Sequence, residues 1–373
     1  MTNISITVTN STPMLAGWYD PQLVDPLGLR PTEIKGLWRY WARTVIAGAL
    51  YDKGLLVGRA SRGVPNTPTR QEVEAISCYV GRILGLGFGG ERSESSRFKI
   101  KVEALKPLRP NLLLEDCATK YGGYQRIRLL SIRRRVSCID VGATFKIEVV
   151  RNRVKYDDGE KLALKILLLA LQLNGIGKGS RKGLGSLDIT SISELEVGGD
   201  LKKLLDEVYN EASEIVDKSD YRRECLRYSV GAGSPPSIPP LPVLSKNQPT
   251  SGVYISEVYN VNGMSSIDAH NFFLRSYRCS KIQCSQVQVD WFLGLPRRNI
   301  SSDRRASPVF LAYHGKGNKF GSGVFVTVLL SSDWPGRVVG SHHDVINARN
   351  MFINDFRSYV NAVNASIRRV WPQ

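Results

Sequence analysis

Leu162–Ile192 reads LALKILLLALQLNGIGKGSRKGLGSLDITSI, and its three successive textures decide the fold. The stretch from Leu162 to Leu173 is an apolar run interrupted by Lys165. It is too short for a bilayer span, which takes ~20 residues, and reads as a buried helix. Five glycines and three basic residues then crowd into Gly175–Gly185. After them, LGSLDITSI alternates as a half-buried strand does. Helix, loop, strand is the reverse of the order in phosphate-binding nucleotide loops, and GxxxxGK[ST] fails because Gly179 follows Lys178. The GxGxxG match at Gly85, Gly87 and Gly90 opens into a strand instead of a helix and is set aside. Glycines let backbone N–H groups approach an anion and adopt positive φ. With Lys178, Arg181, Lys182 and the Ser180 hydroxyl, the segment Gly177, Lys178, Gly179, Ser180, Arg181 and Lys182 suits a sugar–phosphate chain followed through its backbone. A merely flexible basic surface loop is the alternative.

Working outward, a strand over Ile4–Thr9 precedes a loop rich in Pro and Gly, and a helix begins near Thr32 behind Pro31. TRQEVEAISCYVGRILG suggests a second helix, and SRFKIKVEAL and ATFKIEVVR alternate as strands. With the opening stretch this gives β-α-β-β-α-β plus insertions, the split βαβ order. GAGSPPSIPPLPVLSKNQP, residues 231–249, holds six prolines and can form neither a helix nor a central strand, so it reads as an extended connector or traverse. It separates a first domain, 1–230, from a smaller one, 250–373. The latter repeats the element order loosely through GVYISEVYNV, SIDAHNFFLRSYR, PVFLAYH and GVFVTVLLSS, and DVINARNMFINDFRSYVNAV closes the chain as an amphipathic helix.

The 373 residues carry a formal charge of +17 with 42% hydrophobic residues, so a folded protein with a polyanionic partner is expected, nucleic acid or an anionic membrane surface. The charge is clustered. Lys35, Arg39 and Arg43 stand at i, i+4 and i+8, a cationic column separate from the apolar stripe of Ile34, Trp38, Trp41, Val45 and Ala49. Like charges at i,i+4 cost an isolated helix ~0.2–0.5 kcal/mol per pair, which points to an anion from outside. Arg297, Arg298, Arg304 and Arg305 form another cluster, and Arg126, Arg128 and Arg133–Arg135 a third. Either fits an RNA track or a protein contact. The six cysteines are scattered, with only Cys279 and Cys284 near each other, so reduced thiols are expected, with no zinc site, no metal and no cofactor. The first residues show no secretory signal, and a cytoplasmic protein without membrane association is expected.

TPMLAG after the first strand, LRPTEIKGLWRYWAR, GIGKGSRKGLGSL, ILGLGFGG followed by SRFKIK, and RRASPV together resemble the RAMP superfamily of CRISPR proteins. Within it they resemble the subunit-one family of Cmr-type (type III-B) effector complexes. The resemblance implies an α+β chain of two tandem ferredoxin-like (RRM-like) domains with helical and loop insertions. It implies an RNA-binding subunit that holds the 3′ part of a guide RNA, helps to capture target RNA for antiviral defence, and touches other subunits of the complex. Lys35, Arg39 and Arg43, the loop residues Lys178 to Lys182, and Arg304, Arg305 and Ser307 would carry the contacts. The insertion around Ser61–Tyr124 departs from the ferredoxin pattern, and the second part has no glycine loop of the same character. Two alternatives stay open. One is an endoribonuclease, slicing with Asp20 or Asp25 or processing guides with His314, whose near-neutral imidazole suits proton transfer. The other is a scaffold that touches only protein.

Overall fold

The computed structural model describes the chain outside residues 1–2, 18–19, 21, 62–63, 90–92, 109, 227–235, 275–286, 298–300 and 337, with side chains described outside 60–65, 287–289, 296–297 and 301–304 as well. Its main elements are β1 (Asn3–Asn10), α1 (Pro31–Asp52), α2 (Arg70–Cys78), β2 (Phe98–Ala104), β3 (Thr144–Arg151), α3 (Asp157–Leu173), β4 (Leu187–Ile192), α4 (Leu201–Asp217) and α5 (Ser219–Cys225). There follow β5 (Ser256–Asn262), α6 (Ser266–Phe272), β6 (Val309–His314), β7 (Gly323–Leu329), α7 (His342–Ala362) and β8 (Ser366–Trp371). The first sheet has the order β2-β3-β1-β4 and the second β6-β7-β5-β8, every pair antiparallel. The two sheets therefore share one strand order, 2-3-1-4, with helices at corresponding places in the chain.

Their environments differ. In β1 and β3 burial alternates residue by residue, so one face of the first sheet packs on α1 and α3 and the other meets solvent. In β5, β6 and β7 nearly every residue is buried. Val258, Phe310, Phe325, Leu329 and Trp371 join the core built by α1, α3 and α4, while Tyr259, Leu311, Val324, Val326 and Val328 pack with residues of α6 and α7 on the other face. This explains the apolar runs of the second sheet. An antiparallel sheet open on one face would alternate.

Sequence and structure diverge at three places. The chain closes on β8, not on the α7 helix: SIRRVW pairs with β5, and Trp371 is buried with its indole N–H donating to Asp206 at 3.0 Å. Arg368 and Arg369 had broken the apolar rhythm that would have marked the strand. The helix after Thr69 turns π-helical over Tyr79–Ile83. The expectation of reduced thiols is overturned for four cysteines, since folding brings Cys78 to Cys225 and Cys117 to Cys138, each pair joined as a disulfide at a Cα separation of 5.4 Å. Cys279 and Cys284 lie outside the described residues. The proline-rich segment runs against α1: the Leu244 N–H donates to the Thr44 carbonyl, and a Cβ on Gly48 would lie 1.9 Å from the Leu244 oxygen. Among the described residues no helix is long and apolar enough to cross a membrane.

Each sheet is pinned by a buried glutamate. Glu160, fully buried at the start of α3, accepts from Arg97 Nε (2.7 Å) and from Arg151 Nη2 (2.8 Å). Glu257 on β5 is gripped by the forked guanidinium of Arg349 from α7. Removing one member of such a group leaves the others charged and desolvated. Glu160→Gln is therefore expected to cost about 3–5 kcal/mol, read as a lowered denaturation midpoint in urea.

Candidate nucleic-acid interface

Helix α1 begins at Pro31, whose missing N–H costs nothing in the first turn. Its apolar stripe buries Trp38 and Trp41 completely, and the Trp38 indole donates to the Ala163 carbonyl of α3. That packing aims the next stripe round, Lys35, Arg39 and Arg43, over the segment linking α2 to β2. Lys35 Nζ reaches the Phe98 carbonyl at 3.4 Å, and the Arg39 guanidinium donates twice to the Leu86 carbonyl, at 2.7 and 3.1 Å. Arg43 is exposed and has no hydrogen-bond or ion-pair partner among the described residues. Carbonyls position these cations without neutralising them. Glu33, the one acid in the first turns, instead faces Arg30 at 3.3 Å. Burial and the Arg39 charge lower the Lys35 ammonium below its ordinary value, and burial and Arg43 do the same to Arg39. The column thus lacks counter-charge within the described structure.

The glycine loop is built for close approach. Gly177 has φ +83°, and a Cβ there would lie 2.5 Å from the Leu15 oxygen. At Gly185 (φ +65°) it would lie 2.1 Å from the Ile176 oxygen. Most of its amides are used internally, Lys178 to Leu15 O, Lys182 to Gly179 O, Gly185 to Pro13 O, while the N–H groups of Gly177, Gly179 and Arg181 make no backbone hydrogen bond among the described residues. The three cations separate. Lys178 stays half-buried near Asp20, with burial lowering its pKa and Asp20 opposing this. Arg181 turns into the junction with the second sheet. Its guanidinium donates to Ser307 O (2.7 Å) and lies 4.4 Å from the Phe310 ring centroid and 5.1 Å from that of Tyr40. Lys182 reaches Leu293 O (3.4 Å) over the Phe273 ring. Ser180 sits half-buried at the turn between them. Through Tyr40, the loop and the α1 column adjoin.

The remaining candidates sit elsewhere. Arg305 stacks on Trp334 at 3.8 Å and pairs with Asp333 at 2.6 Å. Arg297 and Arg304 lie on short strands but their side chains, like all of Arg298, lie outside the described residues. Asp25 is buried, its carboxylate accepting from the Leu27 N–H (2.9 Å) and lying 3.6 Å from Arg30 Nε, an arrangement that shapes the turn before α1. Asp20 likewise accepts from the Gln22 N–H. His314 is buried with both ring nitrogens facing acceptors, Asp188 Oδ1 at 3.0 Å and Gln172 O at 2.8 Å. Its place at the sheet–sheet junction, not a catalytic arrangement, accounts for its geometry. No group of three or more metal-ligating side chains occurs among the described residues.

Two contributors gave no signal in the sequence. Tyr40 needed its distant partner Arg181 to be recognised. His270 on α6 is the other: Nδ1–H donates to Lys182 O (2.7 Å) and Nε2 accepts from the Arg126 N–H (3.2 Å), so one neutral ring joins three segments. Burial lowers its pKa from 6.5 to about 4. The folded state thus binds this proton less readily than the unfolded one. The stability the neutral ring contributes is complete above pH 6.5 and is lost as pH falls toward 4, by an amount of the order of 3 kcal/mol. His270→Gln should flatten the denaturation midpoint across that window.

A search of curated proteins returns no match. The model of the RAMP superfamily matches residues 27–188. The crystal structure of apo Cmr1 from Pyrococcus furiosus is similar in fold, with TM-score 0.57 and 19% identity over 100% of this chain and 99% of that one. A chain in the cryo-EM structure of a type III-B Cmr-beta complex bound to cognate target RNA is similar at TM-score 0.55 and 13% identity, over 93% of this chain and 99% of that one. The α1 column and the glycine loop both lie inside the region that the RAMP superfamily model matches, and the chain is similar in fold to these Cmr structures.

Proposed function

We propose that this chain is a non-catalytic RNA-binding subunit of a type III-B CRISPR effector complex, which holds the 3′ part of the guide RNA and helps to capture target RNA. The observation that carries the reading is the Lys35–Arg39–Arg43 column: three cations in a row, two of them partly desolvated, with no carboxylate in contact among the described residues. A phosphodiester backbone supplies the missing charge at a regular spacing. Lys178 and the unused amides of Gly177, Gly179 and Arg181 continue the track. The likeness to a chain in a target-RNA complex agrees with this. Each half is read as a ferredoxin-like domain, 1–230 and 250–373, with 231–249 as connector, and the shared strand order supports that division. Guide RNA, target RNA and neighbouring subunits are its partners.

Single-stranded RNA should bind with an affinity that falls as salt rises, by about 0.7 in log–log slope per neutralised phosphate. Replacing Lys35, Arg39 and Arg43 by Gln should flatten that slope by about 2 in fluorescence anisotropy titrations. An unchanged slope would overturn the assignment. So would site-specific RNA cleavage with Mg²⁺ that disappears in Asp25→Ala or His314→Ala while the variant still melts at the wild-type temperature.

A further inference from the structure

The insertion between β2 and β3 carries a second cationic surface. The Cys117–Cys138 disulfide closes a loop containing two short helices, Cys117–Tyr121 and Gln125–Leu130. One side of this arm is apolar: Tyr124, Ile127, Val136 and the disulfide pack on Leu15 and on Leu184 of the glycine loop. Arg126, Arg128, Arg133, Arg134 and Arg135 on the same arm are all exposed. No acid occurs between Cys117 and Ile139, and none of the five arginines has an ion pair among the described residues. The nearby Asp140 is taken by Lys120 and Tyr121, and Asp116 caps the first helix.

The arm is held firmly. Tyr124 Oη meets Ser266 Oγ at 2.6 Å, Asn271 receives the Gln125 N–H and donates to Gly123 O, and His270 bridges the Arg126 N–H to the Lys182 carbonyl. A stretch fixed by so many contacts has no folding need for five unpaired guanidiniums, whose mutual repulsion opposes it. Guanidinium forks match phosphate oxygens in bidentate geometry.

We propose that this disulfide-closed arginine arm is a separate RNA-backbone site that takes the strand as it leaves the glycine loop. The single-signed charge and the direct packing on that loop favour RNA over an acidic protein segment. The proposal rests on the RNA-binding reading above and extends it to residues that reading does not use.

The test uses the full chain with all five arginines changed to Gln, exposed positions whose replacement should leave the melting temperature unchanged. It is compared with the α1 triple variant on a short RNA that fills one site and on a long RNA that can reach both. The arm variant should bind the short RNA as wild type does and lose at least tenfold in affinity for the long one, with a shallower salt slope. If the arm variant keeps the wild-type slope on long RNA while the α1 variant loses it, the arm proposal fails and the RNA reading stands. If neither changes, both fail. Loss confined to poly-glutamate binding would reassign the arm to an acidic protein and overturn the proposal. A lowered melting temperature is met by Arg134→Glu alone, which must weaken long-RNA binding for the proposal to survive.

Discussion

The hydrogen bond from the Leu311 N–H to the Arg181 carbonyl, 3.1 Å long, joins the glycine loop to the edge of the second sheet, and the arrangement of the molecule depends on the junction around it. Ser11 and Ser186 bond the backbone of Tyr313, Asp188 holds His314 and the Gly315 N–H, and Asn318 spans Gln172 and the Ile189 N–H. These groups are largely buried, and each left unpaired would cost about 1–3 kcal/mol. The two sheets meet edge to edge through a satisfied polar network, with the loop as its centre.

That junction sorts the cations. Arg181 and Lys182 are drawn into it, stacked on rings and bonded to carbonyls of the second half. Lys35, Arg39 and Lys178 are half-buried and Arg43 exposed, with no matching acids beyond Asp20 among the described residues. The glycines serve contact more than motion: Gly177 and Gly185 let three backbones run within van der Waals reach of one another. A loop locked in this way presents its remaining amides in a fixed direction, which would lower the ordering cost of the anion contact proposed for it.

The repulsion stored in the α1 column and in the arginine arm is small beside what supports it. α1 is anchored by Trp38 and Trp41 in a core that runs from the first sheet through α3 and α4 into the near face of the second. Like charges on a helix cost tenths of a kcal/mol per pair, whereas burying each large side chain contributes several-fold more. The protein can therefore keep concentrated positive charge at its surface and remain folded.

Local patterns carried much of this. The apolar run before Leu173, the alternation in FKIKVEA and TFKIEVV and the Pro31 start of α1 specify their elements through side-chain periodicity and backbone stereochemistry, which need no distant partner. The column was legible for the same reason, since i, i+4, i+8 spacing is a property of one helix. Long-range placement decided the rest. β8 became a strand because β5 offered it an edge, although its arginines hid the pattern. The disulfides formed between cysteines 147 and 21 residues apart because the insertions fold back. Arg181, His314 and His270 took their roles from partners more than 80 positions away. Sequence by itself determined most of the helices, loops and strands and where charge accumulates. Only the tertiary structure decided which charges are paired and buried and which stay bare, because a cation's state is set by the atoms brought beside it in space.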